Sequence, residues 1–524
     1  MYRSVTLRSE PTSGAHSQRI GLIAAALFVV LVVVVLRLAV VGGYPSTDEG
    51  IYGYYALIIH DRLSQDLRLP NDGMLMLYPL MTSFVYSLNV NPIFAFRLID
   101  IVPDALAAVL MLRISARLSG SLTASALITA LFFALLNHPA FIQYGFKNSF
   151  FIALCPLLYA VILFLSEQQA SSSRYLAMGV LVALGVLLRE TLLLFAVLGA
   201  VTIFVERGTR GLKHYVAGGL AAGSLILILA IALRGSGGVS SLIAGYVDTG
   251  AGYGAFGDLR LKLFKSSGQL AAQAAAAGLV MSLVATACIV IASIRGRTTE
   301  YLKPFAFWAA VTLIPFVEPL AKLGFPYHFS WSLIGLCGIT SLGWSTCQFA
   351  GRAQKLICSC LCIGVSLLLV WPQLNFQRSI FWGLTYPALK ETHGKYWADE
   401  SIPNSNYLLL ADEIKRVAPA NATLSSSAAM LILYPLTGLR PPCYGVSNLT
   451  VTAVTLHFDE KAVKRAIESC PADVVVATER DLPGSSAVTQ AIRELPQYRP
   501  AGRVDASTAR DYGNSSAELF LRQR

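Results

Sequence analysis

The chain has 524 residues, of which 55% are apolar and only 14% are charged. Soluble globular domains carry roughly a quarter charged residues, and disordered chains hold far fewer apolar ones, so the composition excludes both. The formal net charge is +11, and nearly all of the excess lies in the first 374 residues, with 25 Lys/Arg against 15 Asp/Glu, while the last 150 hold 16 against 15.

A hydrocarbon core about 30 Å thick takes about 20 apolar residues of helix to cross. The first such run, 20–43, is too long for a signal-peptide core and has no small-residue cleavage site. Further runs follow at 93–116, 121–136, 150–165, 175–188, 191–205, 215–233, 270–294, 304–320, 330–347 and 356–372. Eleven spans put the termini on opposite sides. The short loops on the N-terminal side then hold Arg113, Arg117, Arg174, Arg207, Arg210, Lys213, Arg295, Arg297, Lys303, Arg352 and Lys355. Cytoplasmic loops carry such an excess, which predicts the N-terminus inside and the C-terminus outside. The apolar stretch 73–88 is short and contains Pro79, and counting it as a span would invert every later loop; it reads as a juxtamembrane helix on the outer face.

The longer loops, 44–91, 137–149, the turn at Arg189, 234–268 and 321–329, then all face outwards, so the chemistry belongs there. From about Asn375 the composition turns to that of a soluble domain. Strand-like runs (472–478, 517–521) alternate with helical patterns (407–417, 460–469, 487–495), predicting a small α/β domain. The expected organisation is a cytoplasmic tail over 1–19, a transmembrane domain over 20–374 with its first outer loop at 44–91, and an extracytoplasmic α/β domain over 375–524. Cys443 and Cys470 are the pair in that domain; the compartment permits a disulfide and the spacing leaves it open.

The densest chemistry is YPSTDEGIYGYYALIIHDRL, directly after the first span. Asp48 and Glu49 are adjacent carboxylates at the outer surface, where a partly desolvated acid serves as general base on a hydroxyl or amine. Thr47 or Asp48 also suits the start of a helix, whose dipole favours acids in its first turn. The two readings are compatible. The following helix, with Tyr52, Tyr54, Tyr55 and Ile58 or Ile59, is expected to lie in the membrane interface. Arg97 has Asp100 and Asp104 at i+3 and i+7, one helical face. Such residues either neutralise one another or mark a functional site in a span, and Arg189 beside Glu190 has the same ambiguity. Arg37 stands inside the first span with a partner that the sequence does not identify.

The ordered set of the Asp-Glu pair, LYPLMTSFVYSL with Pro79-Leu80, NPIFAFRLIDIVPDALAAVLMLRISARLSG, the Gly185-Val-Leu-Leu-Arg-Glu-Thr turn and PYHFSWSLIG around His328 resembles the GT-C class of membrane glycosyltransferases. It is most similar to the protein O-mannosyltransferase and lipid A aminoarabinose transferase branch, over roughly residues 40–350. The resemblance implies an α-helical polytopic membrane protein of about eleven transmembrane helices that inverts a sugar carbon while moving the sugar from a polyprenyl-phosphate donor to a glycan, lipid or protein acceptor. It makes Asp48 the catalytic base, supported by Glu49. It offers Arg97, Lys147, Arg189, Lys322 and His328 for the donor phosphate, and Tyr52, Tyr55, Tyr78, Asn148 and Tyr327 for substrate contacts.

Two departures leave the acceptor open. Many members carry a second Asp where this chain reads NHPAFIQYGFKNSFF, with Asn148, and the aminoarabinose branch has a Lys where this chain has Tyr78. Oxygen ligands are scarce in the outer loops and no DxD pair occurs there, so a divalent metal is allowed but not indicated, and no cofactor or nucleic-acid partner is expected. The expected location is a bacterial cytoplasmic (inner) membrane. The alternatives are a flippase of lipid-linked sugars, which would need polar midplane residues on broken, repeated helices, and a non-catalytic polysaccharide-assembly protein.

Overall fold

The computed structural model describes residues 14–41, 47–65, 77–88, 90–142, 150–166, 171–234, 257–294, 301–321, 324, 326–347, 405–426, 431–443, 449, 459–478, 485–504 and 517–523. The protein is mostly helical with a small C-terminal sheet. In chain order the helices are α1 (Gly14–Val40), α2 (Thr47–Gln65), α3 (Leu77–Thr82), α4 (Pro92–Ser119), α5 (Leu122–Leu136), α6 (Pro139–Ile142), α7 (Phe150–Leu165), α8 (Ser172–Leu188) and α9 (Leu193–Arg234). They continue with α10 (Gly257–Ala274), α11 (Ala276–Ile294), α12 (Leu302–Leu313), α13 (Val317–Ala321), α14 (Ser332–Cys347), α15 (Ser405–Val417), α16 (Leu433–Thr437), α17 (Glu460–Ser469) and α18 (Ser485–Arg493). The chain forms two compact units.

The first unit contains the described parts of 1–40, 98–226 and 253–379. Two of its helices are long and apolar enough to cross a membrane, Arg19–Leu38 within α1 and Ala276–Ile294, while Leu122–Leu136, Phe150–Leu165 and Ser172–Leu188 are apolar but shorter. The run 330–347 is the continuous helix α14, and the remaining expected spans carry charges or breaks. Helix α4 carries Arg97, Asp100 and Asp104 near its start. The run 304–320 is split at Pro315 into α12, a 3₁₀ turn (Ile314–Phe316) and α13, since proline removes a donor and crowds the preceding turn. The runs 191–205 and 215–233 form one helical path, α9, broken at Gly208 with φ 65° and ψ −162°. The run 356–372 lies outside the described residues. Between α8 and α9 the chain leaves the helix at Arg189, whose backbone is extended, so the break read from Arg189-Glu190 is present.

This unit has one apolar core that includes Phe132, Phe133, Phe150, Phe151, Trp308 and Ile334. Hydroxyls tie its helices together: Ser115 to Ser341 at 2.6 Å, and Ser282 to both Thr340 and the Leu336 carbonyl at 3.1 Å. Where α8 crosses α9, a methyl group on Gly179 would overlap the Tyr215 carbonyl and one on Gly218 the Leu176 carbonyl, so the backbones touch.

The second unit joins the described parts of 41–97 and 227–252 to those of 380–524. The interfacial setting expected for α2 is not what the structure has. Tyr54, Tyr55, Leu57, Ile58 and Ile59 are buried in one cluster with Leu410, Ile414, Leu424, Leu431, Leu433 and Leu519 of the C-terminal region. The sequence accounts for this, since six consecutive apolar residues, 54–59, wrap most of a helix and leave no polar face for water. Helix α3 and the 3₁₀ turn Ser83–Ser87 pack beside α2, with the Tyr86 hydroxyl donating to the Gly53 carbonyl at 2.8 Å.

The C-terminal sheet has the order β1-β2-β4-β3, from β1 (Leu424–Ser426), β2 (Val474–Thr478), β3 (Tyr498–Val504) and β4 (Ala517–Arg522). Strand β1 runs parallel to β2, and the other pairs are antiparallel. Alternate residues of β2 point to opposite faces: Val474 and Val476 join the α2 cluster, while Val475 and Ala477 join a second core with Val463, Ile467 and Ile492. The expected strands and helices of this domain are present. Strands β1 and β3 were not anticipated, since β1 has three residues and β3 carries Pro500 at a register shift. Cys443 and Cys470 are disulfide-bonded, with their Cα atoms 6.0 Å apart.

Candidate functional site

The acidic turn opens α2. Glu49 is fully buried, and Arg97 Nε and Nη2 donate to its two carboxylate oxygens at 2.7 Å each. Arg97 Nη1 donates to the Val41 carbonyl at 2.9 Å. This is a bidentate fork, the strong form of the pairing, and it turns Arg97 towards Glu49 rather than towards Asp100. Asp48 contributes its backbone to the first turn of α2, but its side chain lies outside the described residues. Tyr52 meets Tyr78 edge to face at 5.4 Å, and Tyr55 and Tyr78 are buried. At the other end of α2, Asp61 Oδ2 lies 3.0 Å from Arg440 Nε. Burial raises the Asp61 carboxyl above its ordinary value, partly offset by Arg440 and His60.

The first unit holds two further charged groups. Arg37 Nη2 donates to Asp100 Oδ2 at 2.8 Å, Arg37 Nε lies 4.0 Å from Asp104 Oδ2, and the guanidinium sits over the Phe151 ring at 5.9 Å. All three charged residues are buried. The partner of Arg37 that the sequence withheld is therefore the acidic face of α4.

The other group joins three separate segments. Arg189 Nη2 donates to Glu318 Oε1 at 3.4 Å, and His328 Nε2 lies 3.7 Å from the same oxygen. Arg189 caps the end of α8, Glu318 opens α13, and His328 sits in the 3₁₀ turn Pro326–Phe329 before α14, its ring 4.3 Å from that of Tyr327. The structure thus brings together Arg189, His328 and Tyr327 of the expected set. Glu318 was missed, although an acid between Pro315 and Pro319 inside an apolar run is a signal in itself.

Helices α8 and α14 also line an apolar cavity of about 80 Å³, with Leu157, Met178, Phe195, Trp308 and Trp331 among its walls. Two polar side chains there spend their hydroxyls on backbone, Thr202 on Leu198 and Tyr215 on Ala196. The Trp331 indole N–H, buried between Phe150 and Phe195, has no hydrogen-bond partner among the described residues.

No family model and no characterised protein matches the chain.

Lys147, Asn148 and Lys322 lie outside the described residues. Near that loop, burial pushes His138 down to about 4. Among the described residues, no group of three His, Cys, Asp or Glu side chains is arranged to hold a metal ion.

Proposed function

We propose that the protein is an integral-membrane glycosyltransferase of the GT-C kind, moving a sugar from a polyprenyl-phosphate donor to an acceptor on the outer face of a cytoplasmic membrane. The observation that carries the reading is the presence, in one unit, of the buried Arg189–Glu318–His328 group and an apolar cavity. Arg189 and His328 sit at the ends of helices whose flanks form an apolar cavity, and the one buried N–H there without a partner among the described residues asks for an acceptor oxygen. A lipid phosphate has that chemistry: an anionic head with ester oxygens, and a long apolar tail.

The polytopic reading is supported by the outward faces of the helices. Leu27, Leu31, Val102, Val201, Val205, Leu220, Leu283 and Ile294 are each at least half exposed, which water would not favour over so wide an area. Close backbone contact and hydroxyl bonds between helices are also the usual means of packing in lipid.

In the proposed reaction Asp48 takes the proton from the acceptor hydroxyl or amine as that atom bonds to the anomeric carbon. The bond from that carbon to the phosphate oxygen breaks, and the lipid phosphate leaves with the electron pair and inverted geometry remains at the sugar. Within the first unit, Arg189 is proposed to bind the phosphate of the donor. In proteoliposomes supplied with a polyprenyl-phosphate sugar, Asp48→Asn should cut turnover by about 100-fold or more, and Arg189→Ala should raise the donor KM. Near-normal turnover by the Asp48 variant would remove the general base.

A further inference from the structure

We infer that the C-terminal α/β domain is a working part of the catalytic apparatus, and that Gly50 is the positioning residue through which it sets Asp48; the inference rests on the glycosyltransferase reading above. Gly50 lies two residues beyond Asp48, in the first turn of α2. A methyl group built on it would collide with the backbone nitrogen of Ile432, at 2.5 Å from its Cα and 2.6 Å from its Cβ. Backbone atoms cannot step aside as the end of a flexible side chain can.

Ile432 is itself fully buried, directly ahead of α16, and α16 is tied to the sheet by the Tyr434 hydroxyl, which donates to the Leu424 carbonyl at 2.6 Å. The Tyr434 ring lies 4.7 Å from that of Tyr54, one turn along α2. On the other side of the same turn, Glu49 is gripped by Arg97. The two residues that follow Asp48 are thus held by different means, one by an ion pair and one by backbone contact with the C-terminal domain. Together they fix where the Asp48 backbone stands, and a misplacement of about 1 Å in a catalytic group costs about 100-fold in rate.

Helix α2 supplies its own control. A methyl group on Gly53 would meet Pro435 Cγ at 3.4 Å and Phe96 at 3.5 Å, ordinary contact distances. Glycine to alanine raises helix propensity at both positions, so a difference between them reports the contact with Ile432. The experiment is steady-state transfer in proteoliposomes by the full chain. Gly50→Ala should lose about 100-fold in kcat with the donor KM unchanged, while Gly53→Ala stays near wild type. Thermal unfolding and thiol titration of Cys443 and Cys470 check that the second unit has folded.

If Gly50→Ala fails to fold, Tyr434→Phe, which removes only the hydroxyl that ties α16 to the sheet, takes its place: lowered kcat at constant donor KM supports the inference, and wild-type kinetics overturns it. Equal kinetics for the two alanine variants also overturns it. An inactive Asp48→Asn beside a fully active Gly50→Ala would remove the positioning role and leave the enzyme reading intact. A wild-type protein with no transfer from any polyprenyl-phosphate sugar would remove both.

Discussion

Desolvating a guanidinium costs several kcal/mol unless a carboxylate meets it. Arg37 meets Asp100 and Asp104 inside the first unit, and Arg97 meets Glu49 inside the second. Removing one member of a buried pair costs about 3–5 kcal/mol because the other charge is stranded. Arg37→Ala should therefore lower the unfolding temperature in detergent markedly, whereas Arg62→Ala, at the half-buried far end of α2, should not. For Glu49 and Arg97 the expectation is a double-mutant cycle far from additive: Glu49→Gln and Arg97→Gln each destabilise, and the double variant costs little more than the worse single one. Additive losses would mean that the fork contributes nothing as a pair. Glu318 belongs to the same scale, since one of its oxygens serves both Arg189 and His328.

Among elements, the connection from α5 to α6 offers a pH test. His138 lies there, and burial lowers it to about 4, so the folded chain keeps it neutral where the unfolded chain would take a proton. The unfolded state then binds more protons between its ordinary value near 6.5 and about 4, and stability falls as pH drops through that window. Unfolding temperatures measured at about pH 7 and pH 5 should converge more for His138→Gln than for wild type; identical slopes would contradict the burial. Helix α2 shows why an element's environment is harder to read than its type. Its apolar composition was plain, yet a membrane interface and a protein core present the same chemistry to Tyr54 and Ile58.

For the whole molecule, the disulfide between Cys443 and Cys470 agrees with a C-terminal domain on an oxidising side. Intact cells or sealed right-side-out vesicles, treated with a membrane-impermeant reductant and then an impermeant thiol reagent, should label these two cysteines. Labelling only after permeabilisation would put the domain inside and reverse the topology. The division into two units also bears on truncation. Cutting before α15 removes Leu410, Leu424 and Leu433 from around α2, so a chain lacking the C-terminal domain should lose activity even with every proposed catalytic residue present.

Local sequence was enough for the apolar helices α5, α7, α8 and α14, the break at Arg189, the helix that follows the acidic pair and the main helices and strands of the C-terminal domain. Each of these depends on local periodicity, chain-breaking residues or composition, which act over a few turns. Long-range packing alone selects which charges pair, what α2 lies against and why residue 50 is glycine. Those outcomes join positions as distant as Gly50 and Ile432, or Arg189 and Glu318. A carboxylate in a sequence can be matched with many cations, and folding selects one by bringing it within hydrogen-bond reach.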